Sequence, residues 1–192
     1  YPRATLEALR QPLEDRYVTV TRVSGTYRYP ADFMLVATMN PCPCGYLGDP
    51  SHECTCTSMQ IQNYQKRLSG PLLDRIDMKL SVSRVPNHDL MKKTVSGKQH
   101  NTAHALLKTA RDIQLKRYKS SFLYNANLTN SQLRTHARAT PSAEKILLKA
   151  ADTLGLSARS TFKILKVART IADLDESEAI DTPHITEALQ YR

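Results

Sequence analysis

The spacing of apolar residues changes along the chain, from a mixture of helix and strand patterns to a continuous helical pattern. Leu6, Leu9 and Leu13 recur at intervals of three and four residues and predict a helix over residues 5–15. From about His88 onward the apolar residues keep this helical spacing. The pattern therefore predicts an α/β part followed by an all-helical part of similar size.

A β-hairpin is predicted directly after the first helix. Residues 18–21 alternate between apolar and polar, residues 24–26 are typical of a turn, and residues 27–29 continue the strand pattern. Arg22 and Arg28 are expected near the tip of this hairpin.

Two further strands and one helix complete the predicted α/β part. Residues 33–37 form a short continuous apolar run, which is typical of a strand buried on both faces of a parallel sheet. This strand leads to Asn40, where open α/β sheets carry polar site residues. A helix is predicted over residues 58–68, residues 78–82 are predicted to form the second strand, and residues 84–87 to form a linker.

The helical part is marked by an apolar stripe and by capping residues. The stripe consists of Ala103, Leu106, Leu107, Ala110 and Ile113. The residues that cap or begin the later helices are Thr129, Thr140, Ser157 and Thr182. We therefore divide the chain into residues 1–85 and residues 86–192.

Composition narrows the class of protein. The chain has 192 residues, of which 41% are hydrophobic, and a formal net charge of +9, so a packed globular core is expected. It contains no apolar run of membrane-spanning length and no signal-peptide pattern, and we expect a soluble, cytoplasmic protein. Because it begins at Tyr1 rather than methionine, we expect a fragment or a processed product. The positive charge suits nucleic acid, nucleotide phosphates or an acidic partner, and equally a solvated helical surface.

Four cysteines lie in two Cys-x-Cys pairs within a loop rich in proline and glycine. They are Cys42, Cys44, Cys54 and Cys56, with His52 close by. Two such pairs across a short loop can provide the four ligands of a tetrahedral Zn²⁺ site, although their spacing is tighter than the usual one. Reduced free thiols are the alternative, and a disulfide is disfavoured in the cytosol. His52 is a weaker candidate ligand than the cysteines.

Two motifs of ATP-hydrolysing enzymes are absent from the sequence. No Gly-rich phosphate-binding loop (Walker A) occurs, because Gly97-Lys98 is followed by Gln99. No apolar strand ends in the acidic pair (Walker B) that would hold Mg²⁺. By itself this chain is therefore not expected to hydrolyse ATP. The α/β part is expected to be the second half of a sheet, whose exposed strand edges would favour self-association.

Six segments, taken together, are typical of one family. They are Leu9–Glu14, Asn40–Tyr46, Ser69–Asp77, Ser157–Arg159, Val167–Leu174 and Glu187–Arg192. With these segments the chain resembles the magnesium-chelatase-like AAA+ ATPases of the ComM/YifB competence type over nearly its whole length. The resemblance implies a C-terminal part that begins after the Walker B motif. It also implies a partial AAA+ P-loop NTPase core, the second half of the sheet with its β-hairpin, followed by a helical lid domain.

The resemblance implies roles for three residues around an ATP site. Asn40 is similar to the sensor 1 residue, whose carboxamide can hydrogen-bond the γ-phosphate and the attacking water. Arg75 resembles the arginine finger, which reaches the ATP site of the neighbouring subunit, and Arg159 resembles sensor 2, which contacts nucleotide in its own subunit. From the residues alone, Asn40 could belong to a plain Asn-Pro turn, and Arg75 could pair with Asp74 or Asp77.

The resemblance also implies an activity for the longer protein that would contain this chain. It implies hydrolysis of ATP with Mg²⁺ in a hexameric ring that moves or branch-migrates DNA during natural transformation or recombination. Arg22 and Arg28 lie on a hairpin similar to the pre-sensor 1 hairpin of hexameric helicases, which could follow a phosphate backbone; an ordinary exposed hairpin is the alternative. We expect Lys163, Lys166 and Arg169 on a solvated helix face. A chelatase-type motor that remodels a metal-inserting partner and a zinc-braced interaction module are the other candidate functions.

Overall fold

The residues described by the computed structural model fall into two compact units. The described residues are 1–83, 85, 88 and 97–192. The first unit comprises Tyr1–Ile76 and Ser81–Arg84, and the second comprises Asp77–Leu80 and Val85–Arg192.

The described part of the first unit consists of four short helices and one β-hairpin. In chain order they are α1 (Arg3–Ala8), α2 (Arg10–Asp15), β1 (Tyr17–Arg22), β2 (Gly25–Pro30), α3 (Ser58–Gln65) and α4 (Gly70–Leu73). The cysteine loop lies between β2 and α3. Among the apolar side chains described in this unit, those of Pro12, Cys42 and Leu72 are buried, so its core is small.

The hairpin is confirmed, and its register decides where the two arginines lie. Arg22 is opposite Gly25 at the tip, as predicted. Arg28 is opposite Thr19, farther from the tip than expected, and its guanidinium carbon lies 3.3 Å from the ring centroid of Tyr17. The cation–π contact holds Arg28 against the neighbouring strand.

The single helix predicted over residues 5–15 is wrong, because the helix is interrupted at Leu9. α1 ends at Ala8, and α2 starts at Arg10. Pro12 supplies the physical reason: in a continuous helix its ring would collide with the carbonyl of Ala8, four residues earlier, and it has no N–H to donate.

The strands predicted at 33–37 and 78–82 are also wrong for the described structure. Met34 in the first of these segments is 88% exposed. A strand needs a neighbouring strand to pair its backbone groups, and within the described residues the hairpin is the only sheet. In the second segment, the Lys79 N–H donates instead to the carbonyl of Tyr191 at 2.7 Å.

The second unit is helical. Its described elements are α5 (Gly97–Tyr118), a 3₁₀ turn (Asn125–Asn127), α6 (Asn130–His136), α7 (Pro141–Leu154), α8 (Ala158–Leu174) and α9 (Thr182–Gln190). Residues 84, 86 and 87 of the predicted linker, and residues 89–96 at the start of the predicted helical region, lie outside the described residues. None of the described helices is long and apolar enough to cross a membrane.

The residues predicted to cap or begin the helices of the second unit are confirmed. The side chains of Thr129, Thr140 and Ser157 each accept a hydrogen bond from a backbone N–H of the first helical turn. The last helix begins at Thr182 as predicted, but Asp181 is its cap.

The core of the second unit surrounds α8. This helix buries Ile164, Ala168, Ile171 and Ala172 against residues of α6, α7 and α9. The stripe predicted on α5 is buried only near the C-terminal half of that helix: Ala110 is buried, whereas Leu107 is 63% exposed.

Candidate metal centre and nucleotide-site residues

The structure brings the four cysteines together at one point of their loop. The Sγ atom of Cys42 lies 3.3 Å from that of Cys44 and 3.6 Å from that of Cys54, and the Cys44 and Cys54 sulfurs are 3.5 Å apart. With Cys56 included, all four sulfur atoms lie within 4.8 Å of one another. All four are free cysteines.

Proline and glycine shape the first half of this loop. Pro43 occupies the second position of a tight turn in which the Gly45 N–H donates to the carbonyl of Cys42 at 3.1 Å. Gly45 has φ of 85°, a backbone conformation that glycine adopts without strain. The turn places Cys42 and Cys44 side by side, facing the second pair.

Backbone hydrogen bonds favour ionisation of part of the cluster. The backbone N–H of Tyr46 donates to Cys44 and is the main cause that lowers the pKa of this thiol to about 6. The Cys56 N–H lowers the pKa of Cys54, but burial and the hydrogen bonds with Cys44 and Cys42 outweigh it and raise that pKa to about 12. Four adjacent thiolates repel one another, and a central cation is what would allow all four to ionise.

The positions of the sulfur atoms fit a tetrahedral zinc centre. Zn–S bonds of about 2.3 Å in a tetrahedron separate the sulfurs by about 3.8 Å. The three separations among the Cys42, Cys44 and Cys54 sulfurs, 3.3 to 3.6 Å, are close to this value, and the Cys56 sulfur lies within 4.8 Å of them. His52 is outside the cluster: its ring stacks on Tyr46, with 5.0 Å between centroids and 18° between planes.

Arg75 lies just after α4 and is held within its own unit. One guanidinium nitrogen, Nη1, donates to the carbonyl of Pro71 at 2.8 Å, and Nη2 donates to the Oε2 atom of Glu14 on α2. The Arg75 side chain is 13% exposed, and its buried Nε has no acceptor. The alternative interpretation from the sequence, in which Arg75 forms an ion pair with Asp74 or Asp77, is wrong, because its ion-pair partner is Glu14.

Asn40 lies on the surface at the entrance to the cysteine loop. It is exposed, and its side-chain Nδ2 lies next to Gly45, where an added Cβ would come within 3.8 Å. The sensor 1 assignment therefore remains a prediction, with the side chain accessible from solvent. No hydrogen bond or ion pair joins Asn40 to Arg75 within the described first unit.

Arg159 lies in the first turn of α8, two residues after the cap Ser157. It is exposed. Because it lies in the first turn, it is near the positive end of a helix of 17 residues. The placement in a first helical turn is as predicted, and the contact with nucleotide remains a prediction.

The expectation of a solvated helix face is wrong for Arg169 and Lys163, whereas Lys166 is half-buried and donates to the Ala126 carbonyl at 3.1 Å in an exposed contact. Arg169 is fully buried, and it donates to Asp173 Oδ1 from Nε at 3.1 Å and to the carbonyl of Glu178 at 2.9 Å. The Lys163 side chain is 16% exposed and its Nζ lies 2.9 Å from the Asp77 carboxylate. Helical periodicity alone did not reveal these partners, because they lie in distant segments or, for Asp173, on the same buried face.

Glu14 is the residue near a candidate site that the sequence did not single out. It is separated from Arg75 by 61 positions, so no local spacing links the two. Its one sequence signal is that it ends the segment Leu9–Glu14, which is typical of a family.

Comparison with known families identifies the class of protein. A family model described as magnesium chelatase, subunit ChlI, matches residues 1–90, and a model of the ChlI C-terminal part matches residues 97–192. The chain therefore belongs to the magnesium chelatase ChlI-like family. This confirms the resemblance drawn from the sequence segments.

Individual proteins of known sequence are similar to this chain over almost its whole length. The chain is 39% identical to Uncharacterized protein YifB of Escherichia coli K12 and 38% identical to Competence protein ComM of Haemophilus influenzae, in both cases over 100% of this chain and 37% of the relative. It is 33% identical to Uncharacterized protein Rv2897c of Mycobacterium tuberculosis H37Rv, over 98% of this chain and 37% of the relative. The chain thus spans little more than a third of the length of these relatives.

Proposed function

We propose that this chain is the C-terminal part of a magnesium-chelatase-like AAA+ ATPase that forms a hexameric ring in the cytoplasm and translocates or branch-migrates DNA. Residues 1–85 would belong to the ATPase core and residues 86–192 would form its lid. Similarity to Competence protein ComM over the whole chain carries the proposal, because that name refers to DNA uptake.

In this proposal Arg75 acts on ATP bound by the neighbouring subunit. Its planar guanidinium can meet two phosphate oxygens at once, and it would stabilise the negative charge on the phosphoryl group during transfer. Arginine fingers in comparable nucleotide hydrolases increase the rate by about 10³ to 10⁵. Part of the Arg75 side chain, 13% of its surface, is exposed, which supports contact with ATP bound by a neighbouring subunit.

Asn40 and Arg159 would act within their own subunit. The Asn40 carboxamide can donate to a phosphate oxygen while it accepts from the attacking water, so it would orient the water for attack. Arg159, near the N-terminus of α8, would bind phosphate together with the positive end of the helix. The ligands of Mg²⁺ and the phosphate loop that holds ATP would come from a part of the longer protein that this sequence does not include.

The β-hairpin is the proposed contact with DNA. Every residue of β2 is exposed, and the ladder places Arg22 at the tip. A basic tip binds the phosphate backbone without reading bases, which suits a motor that moves along DNA of any sequence. Arg28, held over Tyr17, would contribute charge farther along the same hairpin.

We further propose that Cys42, Cys44, Cys54 and Cys56 bind one structural Zn²⁺. The closeness of the four sulfur atoms supports this. Bound zinc would lock the segment that follows Asn40 and so restrict the position of the sensor residue. Metal analysis of freshly reduced protein tests the proposal, and a preparation that is folded and free of zinc would overturn it.

The test of the ATPase proposal uses the intact protein that contains this chain. We expect Arg75→Ala to lower ATP turnover by about 10³ or more while nucleotide still binds, whereas Arg67→Ala, an exposed arginine beyond α3, leaves turnover unchanged. Subunits with Arg75→Ala mixed with subunits that lack a working phosphate loop should regain activity, because each kind supplies what the other lacks. An Arg75→Ala protein with normal turnover would contradict the finger role.

A chelatase-type motor is the second candidate, favoured by the description of the matching family model. In that case the ring would remodel a metal-inserting protein instead of DNA. Forked and single-stranded DNA discriminate the two: stimulation of turnover by DNA supports the DNA motor, and turnover that responds only to a protein partner supports the chelatase-type motor.

A further inference from the structure

The Arg75 guanidinium is held by two elements of the first unit at once. The Pro71 carbonyl, in α4, accepts from Nη1 at 2.8 Å, and the Glu14 carboxylate, in α2, accepts from Nη2. Pro71 is only four positions away, whereas Glu14 comes from a separate helix. The orientation of the guanidinium plane therefore depends on a contact between two distant parts of the chain.

The two contacts leave part of the guanidinium available. Arginine has five N–H donors, and the two contacts occupy one on Nη1 and one on Nη2. Nε is buried without an acceptor. The guanidinium thus keeps unused donors while its plane is fixed, which is the condition for receiving phosphate oxygens without first giving up its existing partners.

We propose that Glu14 is a positioning residue that holds the arginine finger Arg75 in the orientation needed for hydrolysis in the neighbouring subunit. This inference rests on the proposed function of Arg75. A free arginine side chain has many rotamers, and it must lose this freedom before it can stabilise a transition state. The Glu14 carboxylate removes that freedom in advance, so its loss lowers the rate of the chemical step rather than the affinity for ATP.

The experiment measures ATP turnover of the intact protein with variants at both positions. We expect Glu14→Ala to lower kcat about tenfold, equivalent to about 1.4 kcal/mol, with the KM for ATP changed by less than about twofold. Glu14→Gln keeps an oxygen acceptor of the same length, and it should retain more of the rate than Glu14→Ala. Asp32→Asn is the matched control, since it removes the charge of another carboxylate near an arginine, 3.7 Å from Arg16, and should leave kcat unchanged.

The double variant Glu14→Ala/Arg75→Ala separates a positioning role from a general structural role. If Glu14 acts through Arg75, the double variant is no slower than Arg75→Ala alone. A further loss of the same tenfold size in the Arg75→Ala background would overturn the proposal, and so would a Glu14→Ala protein as fast as wild type or faster while Arg75→Ala is inactive. If Arg75→Ala itself has normal turnover, the finger role fails first, so the two failures are distinguishable.

Discussion

Replacement of Asp173 by alanine is expected to destabilise the second unit strongly. The Asp173 carboxylate is fully buried in α8, where it accepts hydrogen bonds from Arg117 at 3.0 Å, from Arg169 at 3.1 Å and from Asn125 at 2.8 Å. It is the anion between two guanidinium groups, and alanine would leave both of them in the core without it.

The structure sets the size of this effect. Removing one partner of a buried ion pair destabilises a protein by about 3–5 kcal/mol, because the other charge stays buried without compensation. Arg169 would keep the carbonyls of Ala137, Ser177 and Glu178 as acceptors, and the Arg117 side chain is 17% exposed and can turn toward water. We therefore expect the lower end of this range, about 3 kcal/mol, which corresponds to a decrease in Tm of about 10–15 °C for a unit of this size.

The assay is thermal and urea unfolding of the whole chain followed by far-ultraviolet circular dichroism. The signal reports mainly on the second unit, because the longest helices are α5, α7 and α8. Glu178→Gln is the control: the side chains of Glu178 and its partner Arg138 are 83% and 64% exposed, so this variant should lose less than about 1 kcal/mol. A loss below about 1 kcal/mol for Asp173→Ala would refute the argument that the carboxylate compensates buried charge.

Three further predictions concern the metal site, the hairpin and a helix cap. Cys54→Ser is expected to abolish zinc binding measured by metal analysis, because it removes one of four ligands, whereas His52→Ala should keep the metal; equal zinc in Cys54→Ser would contradict the site. Arg22→Ala is expected to weaken DNA binding and to reduce the slope of log affinity against log salt by about 1, since one phosphate contact is lost; an unchanged slope would exclude the contact. Thr140→Ala is expected to lower the free energy of unfolding by about 1 kcal/mol, because it removes the side chain that caps the N-terminus of α7. Thr153→Ala, at the other end of α7, should lower it by less in the same urea titration.

Interactions between residues close in sequence were predicted well. The hairpin depends on alternation over a few residues, and each of the three helix caps on a side chain that meets a backbone N–H three positions later. The cysteine cluster belongs to the same group, because a short loop joins its two pairs. The break at Leu9 was also local, and Pro12 could have revealed it.

Errors arose where the outcome depended on distant neighbours. The apolar run at 33–37 indicated burial, yet Met34 is exposed because no described strand lies beside it. Arg169 was expected on a solvated helix face, and it is buried because Asp173 on the same helix and three backbone carbonyls from other segments accept its N–H groups.

The order of residues along the chain was sufficient for the family, the hairpin, the caps and the convergence of four cysteines, since each depends on short-range spacing or on segments read in order. Only the tertiary structure shows that Arg75 is paired with Glu14 and that Arg117, 56 positions away, donates to the buried Asp173. A charged side chain forms an ion pair with the opposite charge that lies nearest to it in space. The sequence alone allows the same arginine to pair with any of several carboxylates. For that reason the residue type at position 75 suggests phosphate chemistry, whereas its orientation is decided by a helix 61 positions away.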